Sequence, residues 1–206
     1  MDFLILIAIL LFSVAVHEVA HGLMADYLGD PTARYAGRLT LNPLKHLDPL
    51  GSIFIPMLLL ITHSPVLFGW AKPVPINTYN LRDQRYGPAK VALAGPLANL
   101  IIAFFFGLLI RLLGLIGTSF FSANLILTFS FVVQINLILA IFNLFPVPPL
   151  DGSHILFALF PQMEERTKII LYQWGILLLI FSIFFIFPIV FPLVRFLFQL
   201  LTGLSG

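Results

Sequence analysis

Long apolar runs joined by short polar links make up this chain, and the first run starts almost at its beginning. From Phe3 to about Met24 nearly every position is apolar, close to the roughly 20 residues a helix needs to cross a bilayer. Gly29-Asp30-Pro31 ends it. From Arg34 to Asn42 the pattern alternates: Tyr35, Leu39 and Leu41 fall on one side, Arg34, Arg38, Thr40 and Asn42 on the other. A period of two predicts a strand, stopped by Asn42-Pro43. Gly51 to Thr62 is apolar but short, with Pro56 inside it, and reads as a re-entrant or interfacial segment. Phe68 to Asn77 carries Pro73 and Pro75, which remove donors from one lateral edge. It reads equally as a strand that pairs on one side and as a surface loop. A second span comes next at about Val91–Leu113, and a third at about Asn124–Phe145. The third runs into the proline-broken stretch Asn143–Gly152, succeeded by a short apolar helix at about Ser153–Phe160. A fourth span covers about Ile169–Phe187. Pro188 and Pro192 break the chain beyond it, so Phe191–Thr202 is either a short fifth span or an interfacial helix.

The expected fold is an all-α polytopic membrane protein. It is a helical bundle of about four to six transmembrane segments, with a small membrane-associated β element between the first two full spans. A single domain covers residues 1–206, with a core at about 3–160 and C-terminal helices at about 169–203. Composition agrees: 60% of residues are hydrophobic and 10% charged, against about 25% charged in soluble chains. The net charge of +2 does not suggest nucleic acid, because the basic residues sit in links between spans. With no cysteine, disulfides and thiolate ligands are excluded. The first run lacks a basic leader and carries charge, so it is read as a retained helix and not a signal peptide.

That charge is the informative part. His17-Glu18-Val19-Ala20-His21 is a His-Glu-x-x-His motif inside the first apolar run. Two histidines four apart share a helix face, about 6 Å apart along the axis, and both rings reach one tetrahedral metal ion. Glu18 points to a neighbouring position, where it can take a proton from water. A glutamate at this depth is costly unless it has a role. On the second span, Gly95 permits close helix contact, while Pro96 and Asn99 leave polar groups that need partners inside the bundle. Asp151 lies on the unwound stretch after the third span, either as an N-cap for the short helix or as a third metal ligand. His154, three residues on, is a rival ligand and is read as a neighbour of the site. His46 and His63 lie in loops without partners at ligand spacing and are read as solvated.

His17-Glu18-x-x-His21, Gly95-Pro96-x-x-Asn99 and Asn143…Pro146…Leu150-Asp151-Gly152 occur in that order on three successive apolar segments. This combination resembles the site-2 protease family of intramembrane zinc metalloproteases. Gly69-Trp70-Ala71-Lys72-Pro73-Val74-Pro75 looks like its compact bacterial and archaeal members, without PDZ or CBS domains. The resemblance implies one zinc per chain, held by His17, His21 and Asp151. It implies Glu18 as general base and Asn143 as support for the substrate carbonyl or its oxyanion. The substrates it implies are single-span membrane proteins or leftover signal peptides within the lipid bilayer, cut in regulated intramembrane proteolysis. The competing readings are a metal-ion transporter and a non-cleaving client-binding protein. Neither needs Glu immediately after the first histidine.

Two further expectations concern placement. Nine of the eleven basic residues fall in the link between the first two spans or in that between the third and fourth. The positive-inside rule then puts the motifs toward the cytoplasm of a bacterial or archaeal cell membrane, with the N-terminus external. An unwound substrate exposes main-chain groups that must be paired in a membrane. The segment Arg38-Leu39-Thr40-Leu41 is expected to offer them a strand edge.

Overall fold

The computed structural model describes residues 3–62, 69–116 and 123–204. Apolar, helix-compatible runs satisfy every backbone group internally, which is what a bilayer demands. Three helices among the described residues are long and apolar enough to cross one. They are α1 (Phe3–Tyr27), α4 (Gly87–Ile116) and α5 (Ala123–Asn143). Shorter helices fill the rest: α2 (Thr32–Tyr35), α3 (Ile55–Ile61), α6 (Asp151–Leu159), α7 (Glu165–Gln173), α8 (Gly175–Phe181) and α9 (Phe187–Thr202).

Helix α4 is the axis of the molecule and packs against α1, α5, α6 and α9. Ala103 and Ile110 of α4, Val133 and Leu137 of α5 and Val194 of α9 form one buried cluster. A second cluster joins Ala25 of α1 and Val91 of α4 to Leu81 of the connecting segment. The first cluster ties the C-terminal helix to the bundle, and the second fixes the end of α1 that carries the histidines.

The expected fourth span differs. Its helix breaks at Trp174, and the two halves are bent by 61°. Gly175 sits so close to Pro148 that a Cβ there would lie 2.7 Å from the Pro148 carbonyl oxygen. The glycine lets the chain turn against the stretch leading to Asp151. From Gly175 helical bonding continues to Thr202, with π geometry at Ser182–Ile186. Pro188 and Pro192 therefore do not end it. Pro188 falls just after the π segment, where a missing N–H is tolerated. The described residues thus hold three candidate spans, or four if the bent pair counts as one. Pro49–Leu59 is apolar but too short to cross, as its length implies.

The β element does not form. Among the described residues there is no strand, only one isolated bridge between Leu47 and Ala71. Residues 32–35 make a helical turn, and the Arg38 N–H closes it by donating to the Ala33 carbonyl. Side chains take the groups a ladder would need. The His46 ring bonds the Thr40 carbonyl, Arg38 donates to the carbonyls of Lys72 and Pro73, and the Val74 N–H donates to Glu18. His46 is 2% exposed, so it is a buried loop anchor and not a solvated residue. His63 lies outside the described residues.

Asp30 organises the rest of the α1–α4 connection. It is fully buried and accepts hydrogen bonds from Thr32, from the Asn77 N–H (2.6 Å) and from the Asn80 amide (2.9 Å). Burial pushes its carboxyl upward, but these bonds outweigh that and hold its pKa below the ordinary value. Asp30 and Arg38 together fasten both ends of the extended segment from Lys72 to Asn77.

Candidate metal centre

Helical spacing puts His17 and His21 on one face of α1, and α4 supplies the surface they meet. Glycine at 95 is required there. A Cβ would lie 2.5 Å from His21 Nε2 and 2.7 Å from His17 Cε1. Each ring is held from behind. His17 Nδ1 faces the Asn99 Oδ1 at 2.5 Å, and His21 Nδ1 faces the Val91 carbonyl at 2.7 Å. Both partners are acceptors, so each Nδ1 carries the proton and each Nε2 keeps its lone pair.

Asp151 arrives from the other side. It is the first residue of α6, and Leu150 occupies the N-cap, so the capping reading of Asp151 fails. Gly152 allows the approach, since a Cβ there would lie 2.2 Å from the Leu144 carbonyl oxygen. Asp151 Oδ2 lies 3.1 Å from His17 Nε2 and 3.2 Å from His21 Nε2, and the two Nε2 atoms are 3.0 Å apart. Three acceptor atoms thus converge. A proton on one Nε2 would serve one edge of this triangle and leave the others repulsive. A cation serves all three. Tetrahedral zinc with bonds of about 2.0–2.1 Å has donor–donor edges of about 3.3 Å, close to those found. The residues fit the ion, and among the described residues this is the one such group.

A cavity of 360 Å³ opens beside the triangle, lined by Glu18, Pro73, Val74, Ile76, Asn143 and His154 among others. Glu18 Oε2 accepts the Val74 N–H at 2.8 Å. Asn143 reaches the cavity, but its amide N–H donates back to the Leu139 carbonyl at 2.9 Å. His154 lines the wall and is not part of the triangle. Arg38, Leu39, Thr40 and Leu41 do not line the cavity. Arg38 is buried behind it, on the carbonyls of Lys72 (2.8 Å) and Pro73 (3.4 Å). The extended segment at 73–76 stands where the alternating one was expected.

Three groups escaped the sequence reading: the Val91 carbonyl, the Val74 N–H and Asn136. The first two are main-chain groups with no sequence signal. Asn136 had one, since it is an amide in the middle of an apolar helix.

The model of peptidase family M50 matches residues 112–182, the part that contains Asn143 and Asp151. A Bacillus subtilis protein named "Putative zinc metalloprotease YwhC" is 39% identical over 187 residues, which cover 89% of this chain and 81% of that one. A Mycolicibacterium smegmatis protein named "Putative zinc metalloprotease Rip2" is 31% identical over 183 residues, 86% of this chain and 66% of that one. A shorter match, 42% over 67 residues, is to "Putative zinc metalloprotease MJ0611" of Methanocaldococcus jannaschii. No solved structure matches the chain. Apolar spans, a converging donor set and this likeness agree: the chain belongs to peptidase family M50, the site-2 proteases, and is an intramembrane zinc metalloprotease.

Proposed function

We propose that His17, His21 and Asp151 hold the zinc and that Glu18 is the general base. The observation that carries this is the triangle of three ligand atoms, each 3.0–3.2 Å from the other two. When bound there, zinc supplies Lewis acidity, which brings the pKa of water to about 7. Glu18 takes the proton from the attacking water as the C–O bond forms. It then gives that proton to the amine nitrogen as the C–N bond breaks. One Glu18 oxygen is anchored on the Val74 N–H, and the other is left for this transfer. Asn143, at the cavity wall, turns its amide toward the carbonyl oxygen as charge builds there.

The substrate is an unwound membrane segment of a single-span protein or a leftover signal peptide. Its main chain pairs with the Val74 carbonyl and the Ile76 N–H, the Val74 N–H being taken by Glu18. In an extended chain residues 74 and 76 present their N–H and C=O groups to one side, and the Val74 N–H marks that side as the one facing Glu18. Pro73 and Pro75 lack donors only toward the other side, where the Pro73 carbonyl meets Arg38. Arg38 to Leu41 thus serve substrate binding from behind. The motifs face the cytoplasm, and the N-terminus is external.

The test is zinc content beside cleavage of a single-span substrate. His17→Ala, His21→Ala and Asp151→Ala are expected to lose most metal and all activity. Glu18→Gln keeps about one zinc per chain and loses at least about 100-fold in rate. Full zinc binding by Asp151→Ala alongside loss in His154→Ala would overturn the ligand set.

A further inference from the structure

The groups behind His17 form a directed chain across three helices. Ser13 of α1, Asn99 of α4 and Asn136 of α5 are all at most 1% exposed. Asn136 Nδ2 donates to the Val132 carbonyl (2.8 Å) and to Ser13 Oγ (2.9 Å). Its Oδ1 therefore faces Asn99 and accepts from Asn99 Nδ2 at 2.7 Å. The second Asn99 hydrogen goes to the Ser13 carbonyl at 3.3 Å. Both Asn99 hydrogens are engaged on the far side, so its oxygen is what meets His17 Nδ1. Two main-chain carbonyls, which only accept, stand at the far end and fix the direction of every bond in between.

We propose that Asn136, with Ser13, is a positioning residue for the metal site. It sets which way the Asn99 amide faces, and through that which nitrogen of His17 is free. The proposal rests on His17 being a zinc ligand. With the Asn99 amide reversed, an N–H would face Nδ1, the ring proton would move to Nε2, and a hydrogen would fill the space among the three ligand atoms. Buried amides also serve as plain contacts between membrane helices. A plain contact needs satisfied groups in either orientation. This chain permits one.

The experiment uses the full chain in detergent and reads three quantities: zinc affinity by competition with a chromogenic chelator, thermal midpoint, and ring ¹⁵N shifts of His17 in the metal-free protein. Asn136→Leu is expected to weaken zinc binding about 10- to 100-fold and move ring protonation toward Nε2. Asn136→Asp keeps an acceptor for Asn99 and stays within a few-fold of wild type. Val133→Ala, fully buried on the same helix but outside the chain, lowers the midpoint and leaves affinity unchanged. If Asn136→Leu lowers the midpoint at wild-type affinity, or if Val133→Ala weakens zinc as much, the proposal is overturned. If Asn136→Leu does not fold, Ser13→Ala decides. A few-fold loss with the shifted tautomer supports the proposal, and no change in either sinks it. His17→Ala separates the two readings. Wild-type zinc binding in that variant removes the ligand assignment itself. Lost binding there with an unaffected Asn136→Leu removes the positioning role alone.

Discussion

Single residues decide how closely the metal site closes. Gly95 is the tightest case, because any side chain at that position enters the space of both imidazoles. Gly95→Ala is expected to weaken zinc binding at least about 10-fold, as a displaced ligand does. Gly114→Ala, on the same helix with nothing within 4 Å, changes nothing measurable in that assay. Asp30 makes a different prediction. Its folded pKa lies below the unfolded value, so its contribution is fully present above the ordinary carboxylate pKa of about 4. That contribution is lost as pH falls through the lower folded value. Asp30→Asn should lower the thermal midpoint at neutral pH and flatten the acid limb of the stability curve. An unchanged acid limb would show that Asp30 is not the group responsible. At this scale much was legible. The two histidines and Glu18 declare themselves by helical spacing. Asn99 does so as an amide that needs a partner at membrane depth. The same argument applied to Asn136, which lacked only a motif to draw the eye. His46 was misread because loop position does not imply exposure.

Elements were legible where one physical demand dominates. Three spans emerge from length and apolarity alone. The segment between α1 and α4 answers to several demands at once, and there the alternation misled. Tyr35 is 83% and Leu41 51% exposed while Arg38 is 9% and Leu39 is half-buried against Gly22, so the two sides of the alternation do not separate into a buried and an exposed face. A period of two signals a strand only when one face is buried in common. Here the buried groups are polar, and they hold the neighbouring segment through its carbonyls. The break at Trp174 was equally hidden, because the cause is a contact between Gly175 and Pro148, far apart in sequence. The segment beside Glu18 yields a test. Ile76→Pro removes an N–H from the proposed substrate edge. It should slow cleavage about 10-fold or more, to a similar degree for substrates of different sequence, while zinc content stays at wild type. Thr40→Pro, away from the cavity, should slow cleavage less. Equal effects from both would return the edge role to the Arg38–Leu41 segment.

The described residues form a set of helices around α4, with the proposed ligands delivered by α1 and α6, which both pack on it. Its orientation is testable directly. Lys45 and Arg166 are exposed and flank the motif-bearing ends. Cysteine at either position should react with an impermeant thiol reagent from inside-out vesicles and not from intact cells. The reverse labelling would invert the topology. The layout also sets an order of events in time. His17 and His21 leave the ribosome early, while Asp151 comes 134 positions after His17. At about 5–20 residues per second, some 7–27 seconds separate the first ligand from the last. During that interval the nascent chain holds two thirds of its donor set and no closed triangle. With Asp151 as the proposed third ligand, the enzyme is born inactive. It is then expected to mature only when α6 has docked on the helices already in place, and a truncated product lacking α6 is expected not to cleave the membrane proteins being inserted around it.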